Sequence, residues 1–544
     1  MRSIADLPSN AYDVGRSLAS GIEPYTGPWG EKQVLHLLRR TLFGPQVDQI
    51  NMFKEMTMDE AVDRLLETEQ DPQPPLNHYN DEEIKDPEVP LGETWIDSYT
   101  REDSDITGAR VVSLKTWWIN NVLNQGPSLH EKVIFFWHNH LATQSWDVFW
   151  PNLTYHHFEM LRRHAFGNFK DLIKEVTLDP HMLLYLNGAL NREEAPDENY
   201  ARELQELFCI GKGAGAKFTE GDVQAAARVL TGHSIDWDDK GKYLFRPYWH
   251  DAGDKQFSEF YDGAVIKGRE GEDGKEEYEE LISILFKTSE LPRFIARKLY
   301  RFFVYSDIDD ETERLVIEPL AEIFSNNNYE IKPVLSVLFR SAHFFDEANR
   351  GAMIKSPLDF LIGLWRTGGI LMPEEASPVN EHEIRSNMLW SMGTQGLEVL
   401  DPPNVAGYPA YYQFPQYDKS WITTNTITNR ALMTDSFVYW GFWSRNLRTN
   451  LDILAHLKAL DHPEDPIKLV DEICIKHLAY DPDASIKSRM VGILLSGQQN
   501  NAYWTNAWYE YLDAPNDEMK KNTVELRLKV MFQFLFQLSE YHLV

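Results

Sequence analysis

The sequence predicts a mainly α protein: a large multi-helix globular fold with long irregular loops and few or no strands. Apolar residues recur at helical spacing along most of the 544 residues, and helix-start residues stand before many of these runs. No segment is dominated by strand patterning, and no repeat period stands out. The same patterns divide the chain into an extended N-terminal arm (1–27), a main helical domain (28–430) and a C-terminal helical region packed on it (431–544).

The first part of the chain alternates helices with one long loop. Helical spacing predicts a helix over residues 32–43, closed by Gly44 and Pro45, and a short helix over Met58–Glu67. The stretch Asp71–Thr107 is acidic and rich in proline, which is typical of a surface loop.

Four helices and a shorter one are predicted between Ser128 and Gly211. Ser128 and Glu131 have the spacing of a capping box, so a helix is expected to start at Leu129 and to be apolar on nearly every side. Asn152 and Asn168 are placed to cap the next two helices.

The helix predicted over Pro196–Gly211 carries the most distinctive charges. Proline suits its first position and Gly211 the position just after its end. Glu198 and Arg202 have the spacing of a surface ion pair, and Arg202 also reaches Glu206. Glu203 lies beside the apolar face and has no such local partner, so it must find one elsewhere in the fold, because an unpaired buried carboxylate is costly.

For the second half of the chain the sequence predicts only the broad order of helices and loops. Thr219 and Asp222 form a capping pair, which gives Asp222 a structural explanation. Residues 236–275 are rich in loops with room for short strands, a loop rich in proline and aromatic residues covers 401–421, and amphipathic helices run from about 452 to the end.

Composition narrows the function classes. With 53 basic and 84 acidic side chains the formal charge is −31, a field that disfavours nucleic-acid and anionic-membrane binding. No apolar run approaches the roughly 18–20 residues of a membrane span, and the first residues lack the apolar core of a secretory signal. Two cysteines, Cys209 and Cys474, provide neither a disulfide framework nor a cysteine-rich metal site. The many aromatic residues fit a large core, with sugar-stacking clefts as the alternative.

A series of phrases identifies a family resemblance. HLLRRTLFG, EKVIFFWHNHLAT, RRHAFGNFKDLI, PDENYARELQELFCIG, FTEGDV with AARVLTG, HDAGDK, KSP and PPNVAGYP occur in this order. The chain resembles, over about residues 31–430, the bacterial family called domain of unknown function 1800. Two positions depart from its pattern: Asp197 where asparagine is expected, and Tyr408 where tryptophan is expected.

The resemblance implies a set of shared polar residues: His138, His140, Asn168, Glu198, Asn199, Arg202, Glu203, Glu206, Arg228, His250, Asp251 and Lys255. His157 does not clearly match, which weakens it as a ligand. Members of the family often look exported and are often encoded beside an alkaline-phosphatase-like exported family. The resemblance therefore implies a protein partner from that family and an exported location, whereas this sequence shows no signal. It supplies no reaction.

The leading hypothesis is a metal-dependent enzyme, hydrolytic or oxidative, acting on an unidentified substrate that could be a carbohydrate. Imidazole and carboxylate ligands on facing helices are how helical bundles hold zinc, iron or manganese. His138 and His140 diverge by about 200° on a helix, so they cannot both grip one ion, and His140 lies on the apolar stripe. The expected ligands are His140, Glu203 and Glu206, with His138, His164 or His250 completing the set. Asp251 or Glu198 is the candidate base, and Arg202 belongs to the same catalytic cluster.

Two alternatives stay open. Glu203 and Glu206, or either with Asp251, could act as the acid and base of a metal-free glycosidase on a sugar in an aromatic cleft. Alternatively, the His–Glu–Arg network is structural and the chain is a non-catalytic binding or scaffold protein.

Overall fold

The computed structural model describes residues 20–81, 83–99, 103–444 and 446–544, and helices dominate it, as the sequence predicts. The helices of the first part are α1 (Glu31–Thr41), α2 (Val47–Lys54), α3 (Met58–Leu65), α4 (Ser104–Leu123), α5 (His130–His140), α6 (Ser145–Val148), α7 (Pro151–Arg163), α8 (Phe169–Leu178), α9 (Pro180–Tyr185), α10 (Asn199–Glu203) and α11 (Glu220–Val229). The central ones are α12 (Glu277–Leu285), α13 (Glu290–Phe303), α14 (Asp310–Thr312), α15 (Glu318–Asn326), α16 (Ile331–Arg340), α17 (Pro357–Thr367), α18 (Pro378–Gly393) and α19 (Thr424–Tyr439). The last are α20 (Ile453–Lys458), α21 (Pro466–His477), α22 (Ala484–Leu494), α23 (Ala502–Asp513) and α24 (Glu518–Phe536).

Strands are short and occur as three antiparallel pairs within the described residues. They are β1 (His233–Asp236) with β2 (Lys242–Phe245), β3 (Lys255–Gln256) with β4 (Val265–Ile266), and β5 (Phe442–Ser444) with β6 (Leu447–Thr449). The strands β2, β3 and β4 lie in residues 236–275, where the sequence left room for strands, whereas β1 comes just before this region and only its last residue falls in it.

Side-chain caps start several helices where the sequence predicts them. Asn168 accepts hydrogen bonds from the backbone N–H groups of Lys170 and Asp171 at the start of α8. Thr219 and Asp222 form a reciprocal capping box at the start of α11. These predictions are confirmed because a cap depends only on residues three positions apart.

Two other predicted caps are wrong. The helix α7 begins at Pro151, and the Asn152 amide instead donates to the backbone carbonyl of Trp95, 3.2 Å away, in the long loop. Ser128 donates to the Leu65 carbonyl at the end of α3 and accepts from the His130 N–H, while Glu131 binds the Trp118 indole and Arg162, so no capping box forms at α5. Asn152 and Glu131 thus bind tertiary partners instead of the predicted local ones.

The helix α4 corrects the extent of the predicted loop. Asp103 caps it through the N–H groups of Asp105 and Ile106, so the helix starts inside the stretch predicted to be irregular up to Thr107. Fourteen of its twenty residues are buried, on all sides of the helix. Such a helix shows little amphipathic periodicity, which is why the sequence pattern does not reveal it.

The helix predicted over Pro196–Gly211 is real but irregular. It consists of α10 followed at once by a π-helical turn over Leu204–Cys209. Insertion of a π turn rotates the later residues relative to a regular helix, so the predicted wheel holds only for the first turn.

The core is one continuous apolar cluster that draws side chains from Val34 to Tyr541, with a smaller cluster around Trp150 and Ile235. Every residue of α5 is buried, as its all-round apolar pattern predicts. The division into a main domain and a C-terminal region stays a prediction, and the predicted arm lies mostly in residues 1–19, outside the described ones. No helix among the described residues is both long and apolar enough to cross a membrane.

Candidate functional site

The charged residues of α10 form a surface network of ion pairs. Arg202 Nη2 lies 2.8 Å from Glu198 Oε2, and Arg202 also contacts Glu220. Glu206 Oε2 lies 2.5 Å from Lys212 Nζ, with Arg202 Nη1 at 3.8 Å from its other oxygen. Glu198, Arg202 and Glu206 are therefore already paired, and a reaction would have to break these pairs.

Glu203 is the exception on this helix. Its Oε2 is buried and has no hydrogen-bond partner among the described residues, although the sequence predicts a partner elsewhere in the fold. Burial, followed by the nearby charge of Glu206, raises the pKa of Glu203, while Lys212 and Arg202 act against this rise. A raised pKa is the direction of shift that a general acid needs.

His140 lies in an aromatic part of the core rather than beside a carboxylate. Its Nε2 donates to the backbone carbonyl of Phe208, 2.9 Å away, and its ring stacks on Phe136. Burial, followed by the charge of Lys298, lowers its pKa to about 3. His140 is thus a neutral core imidazole that ties α5 to the π turn.

The HDAGDK phrase forms a buried charge network. Asp251 receives two hydrogen bonds from Arg228, at 2.6 and 3.0 Å. Lys255 Nζ lies 2.5 Å from Glu277 Oε2 with both side chains fully buried. His250 Nε2 lies 3.1 Å from the other Glu277 oxygen but is misaligned for a hydrogen bond, and its Nδ1 contacts the Thr231 carbonyl.

This network fixes the pKa values of its acids. Burial acts to raise the pKa of Asp251, but the hydrogen bonds and charge of Arg228 outweigh it, so the pKa is lowered. Burial also acts to raise the pKa of Glu277, but His250 and Lys255 outweigh this effect, so the pKa of Glu277 is lowered as well. Asp251 is therefore an ionised partner of arginine and a poor proton acceptor near neutral pH.

His164 lies in a groove of about 580 Å³, away from the aromatic surroundings of His140. Its Nε2 is 2.7 Å from Glu175 Oε2, and Arg163 contacts the same carboxylate. Asp179 lies in the wall of this groove, and its carboxylate is 2.8 Å from Nδ1 of the buried His157.

His138 faces a different neighbourhood from His140. It is 1% exposed, and neither ring nitrogen has a hydrogen-bond partner in the part of the chain that the structure describes. Burial, then His157 and Lys115, lower its pKa to about 3. The structure thus places the predicted ligands in several separate surroundings. Within the described ranges no three His, Cys, Asp or Glu side chains are gathered so as to hold an ion.

A much larger cavity, of about 1130 Å³, opens on another face of the molecule. It lies between residues 78–81 and 83–85, the first turns of α4, the α6 region, α18 and β5, and we call it the aromatic cleft. Four aromatic side chains line it: Tyr79, Trp146, Phe149 and Trp443. Trp146 is 44% exposed and Trp443 53% exposed, although most tryptophans of this chain with described burial are core residues.

Both hydrogen-bond donors and hydrogen-bond acceptors line the aromatic cleft. The carboxylates are Asp81, Glu83, Asp103, Asp105 and Glu383, and the other polar side chains are His78, Lys85, Ser104, His382, Ser386, Asn387 and Ser444. Burial, followed by Arg385, lowers the pKa of both imidazoles, that of His382 to about 4. At neutral pH the described lining therefore carries five carboxylates against one lysine.

The lining carboxylates differ in how they are held. Asp103 caps α4, and Glu383 accepts a hydrogen bond from Ser444. The side-chain carboxylates of Glu83 and Asp105 have no hydrogen-bond or ion-pair partner among the described residues. The ring of Trp146 stacks on that of Phe149, whose centroid is 5.9 Å away, and Lys115 Nζ lies 5.1 Å from the Trp146 ring.

Comparison with known proteins places the chain in a family. The sequence profile described as "Protein of unknown function (DUF1800)" matches residues 36–543. The chain belongs to the DUF1800 family. The DUF1800 match continues beyond Arg430 through the C-terminal helices, further than the phrases that first suggest the resemblance. No curated protein and no solved structure matches the chain.

The aromatic cleft is what sequence reasoning about this DUF1800 protein misses. Its walls come from segments more than 350 residues apart. One of them lies in the stretch predicted to be an acidic surface loop, and no element is predicted from the sequence for the segment that forms α18. The one available signal is the count of 16 tryptophans. This count is compatible with a sugar-stacking cleft, but it does not indicate which tryptophans are exposed.

Proposed function

We propose that this chain binds an oligosaccharide without acidic groups in the aromatic cleft. The carrying observation is the cavity of about 1130 Å³ in which exposed tryptophan faces stand among carboxylate, amide, hydroxyl and imidazole groups. Small-molecule pockets commonly measure about 300–1,000 Å³, so this cleft has room for several sugar rings.

The chemistry of the lining supports a sugar. Apolar C–H faces of a sugar ring stack on indole faces such as those of Trp146 and Trp443. Hydroxyl groups both donate and accept, and they find acceptors in the carboxylates and donors in side chains such as Asn387 and Lys85. The excess of carboxylates and the net charge of −31 disfavour uronate or sulfate-bearing chains.

Hydrolysis of the bound sugar is a second candidate, favoured by the two unpaired carboxylates. The carboxylates of Glu83 and Asp105 line the same cavity and have no partner among the described residues, and a glycosidase needs two carboxyl groups that flank the scissile bond. This pair replaces Glu203 and Glu206 as the candidate acid and base of the glycosidase hypothesis. Replacing either residue by its amide should then abolish turnover while leaving binding nearly unchanged.

The leading metal-enzyme hypothesis stays a proposal, but not with its original ligand set. His140 uses Nε2 on a backbone carbonyl and Glu206 is paired with Lys212, so these two are poorly placed to share an ion with Glu203. A scaffold role is favoured by the same pairing, and the exported partner protein also remains a proposal.

The test is direct binding by the full chain. Neutral and amino-sugar oligomers are screened on a glycan array, and the best one is measured by titration calorimetry. Trp146→Ala and Trp443→Ala should each weaken binding by about 10-fold or more, equivalent to about 1.4 kcal/mol, because each removes a stacking face.

Trp390→Ala is the matched control, because Trp390 is 73% exposed on α18 but does not line the cleft. Its affinity should equal that of the unmodified chain. Equal weakening by all three variants, or binding of acidic saccharides only, would remove the proposal.

A further inference from the structure

Three histidines from three helices meet in the interior, apart from the aromatic cleft. They are His138 on α5, His157 on α7 and His181 on α9, with exposures of 1%, 0% and 0%. The ring centroids of His157 and His181 lie 5.1 Å apart. The charges of His157 and His138 also act on His181, after burial itself, to lower its pKa, so His138 lies in the same region of the interior. We call these three residues the histidine cluster.

Four ring nitrogens of the histidine cluster are buried without a hydrogen-bond partner among the described residues. They are Nδ1 and Nε2 of His138, Nε2 of His157 and Nε2 of His181. Buried polar atoms in native proteins almost always have a partner, and each one left without costs about 1–3 kcal/mol. Four such atoms in one region argue for a bound ligand.

Hydrogen bonds at Nδ1 hold two of these rings, those of His157 and His181, in place. The His157 Nδ1–H donates to Asp179 Oδ2 at 2.8 Å, and that carboxylate is itself held by the Met182 N–H. The Thr154 hydroxyl donates to the Trp150 carbonyl and can accept from His181 Nδ1, 3.3 Å away. With Nδ1 protonated in both rings, each Nε2 keeps a free lone pair. A carboxylate or hydroxyl behind an imidazole is the usual support of a metal-bound histidine.

We propose that the histidine cluster binds one divalent transition-metal ion of the zinc type through His157 and His181, with His138 as the third ligand. For Zn–N bonds of about 2.0–2.1 Å, two imidazoles on a tetrahedral ion have centroids about 5 Å apart, which agrees with the observed pair. Neutral imidazoles suit zinc, nickel, copper or iron and disfavour magnesium and calcium. His138 has to move towards the pair on binding, because no three such ligands in the described ranges already surround a point.

This site differs from the one that the sequence predicts. It retains His138 from the predicted ligands and adds His157, which the family resemblance had weakened, and His181, which sequence reasoning left aside. It is separate from the aromatic cleft, so sugar binding and metal binding can succeed or fail independently.

The test is metal binding by the full chain. Metal content is measured by mass spectrometry after purification without chelators and after reconstitution with zinc, and Co²⁺ is titrated while its visible absorption is recorded. The expected result is one ion per chain, an intense absorption typical of a low-coordinate Co²⁺ site, and a higher melting temperature with zinc. His157→Asn and His181→Asn should each lose the ion and the spectrum.

His130→Asn is the matched control, because His130 is equally buried (1%) and lies outside the cluster, with its Nε2 on the Arg162 carbonyl. It should keep full stoichiometry. If a cluster variant fails to fold, anomalous diffraction at the zinc edge from the unmodified protein decides: a peak between His157 and His181 supports the proposal. A water molecule there without anomalous signal, absence of binding after reconstitution, or an unchanged cobalt spectrum in folded variants would each overturn it.

Discussion

Replacement of Lys255 tests whether the HDAGDK phrase is structural. Lys255 and Glu277 are both fully buried with 2.5 Å between Nζ and Oε2. Lys255→Met leaves the carboxylate buried without its cation, and breaking such a pair costs about 3–5 kcal/mol. At an unfolding entropy of about 2.1 cal/mol/K per residue, the 544-residue chain should lose about 3–4 °C in melting temperature.

Two further variants make the measurement specific. Lys267→Met removes the exposed Lys267–Asp254 pair nearby, and exposed pairs contribute about 0–1 kcal/mol, so its melting temperature should hardly change. Adding Glu277→Gln to Lys255→Met removes the unpaired charge while keeping an acceptor for the Arg269 N–H, and should restore most of the loss. The assay is differential scanning calorimetry at pH 7. Equal melting temperatures for Lys255→Met and Lys267→Met, or no recovery in the double variant, would refute the reasoning.

Three more predictions concern single positions. Because the folded-state pKa of Glu203 is raised, its stabilising effect is present below its unfolded pKa and is lost as pH rises through its folded pKa. Glu203→Gln should therefore raise the melting temperature at pH 7 but not at pH 4. A lower melting temperature of this variant at pH 7 would contradict the reasoning. The pKa of Asp251 is lowered, so its contribution is present above its unfolded pKa and is lost as pH falls, and Asp251→Asn should flatten the fall of melting temperature below about pH 4; an unchanged acid limb would count against the arginine pair. Gly407 and Gly396 share φ +93°, but a Cβ at Gly407 would lie 2.4 Å from the Asn139 carbonyl whereas Gly396 has open space, so Gly407→Ala should destabilise by about 1–3 kcal/mol more than Gly396→Ala in urea unfolding; equal losses would contradict the contact.

The sequence predicts those parts of the fold that depend on neighbours in the chain. The caps at Asn168 and Thr219 follow from side chains that reach their own backbone. The π turn after Glu203 does not, because it is a departure from local preference that tertiary packing selects. The start of helix α4 is not predicted for another reason. The helix is buried on every side, so its apolar residues do not mark out a single buried face.

The candidate sites show the same limit more strongly. The lack of a local partner for Glu203 follows correctly from helical spacing, but the partner predicted elsewhere in the fold is not found for its Oε2 among the described residues. Which histidines meet is decided by the packing of α5, α7 and α9, so His181 cannot be paired with His157 from spacing alone. Likewise, nothing in the letters separates the exposed Trp146 from the buried Trp118.

The most direct test of the central claim is a crystal structure of the full chain with the tightest neutral oligosaccharide from the array. The account predicts sugar rings stacked on Trp146 and Trp443, with hydroxyl groups bonded to carboxylates of the aromatic cleft. Sugar bound elsewhere, or an empty cleft at saturating ligand, would contradict it.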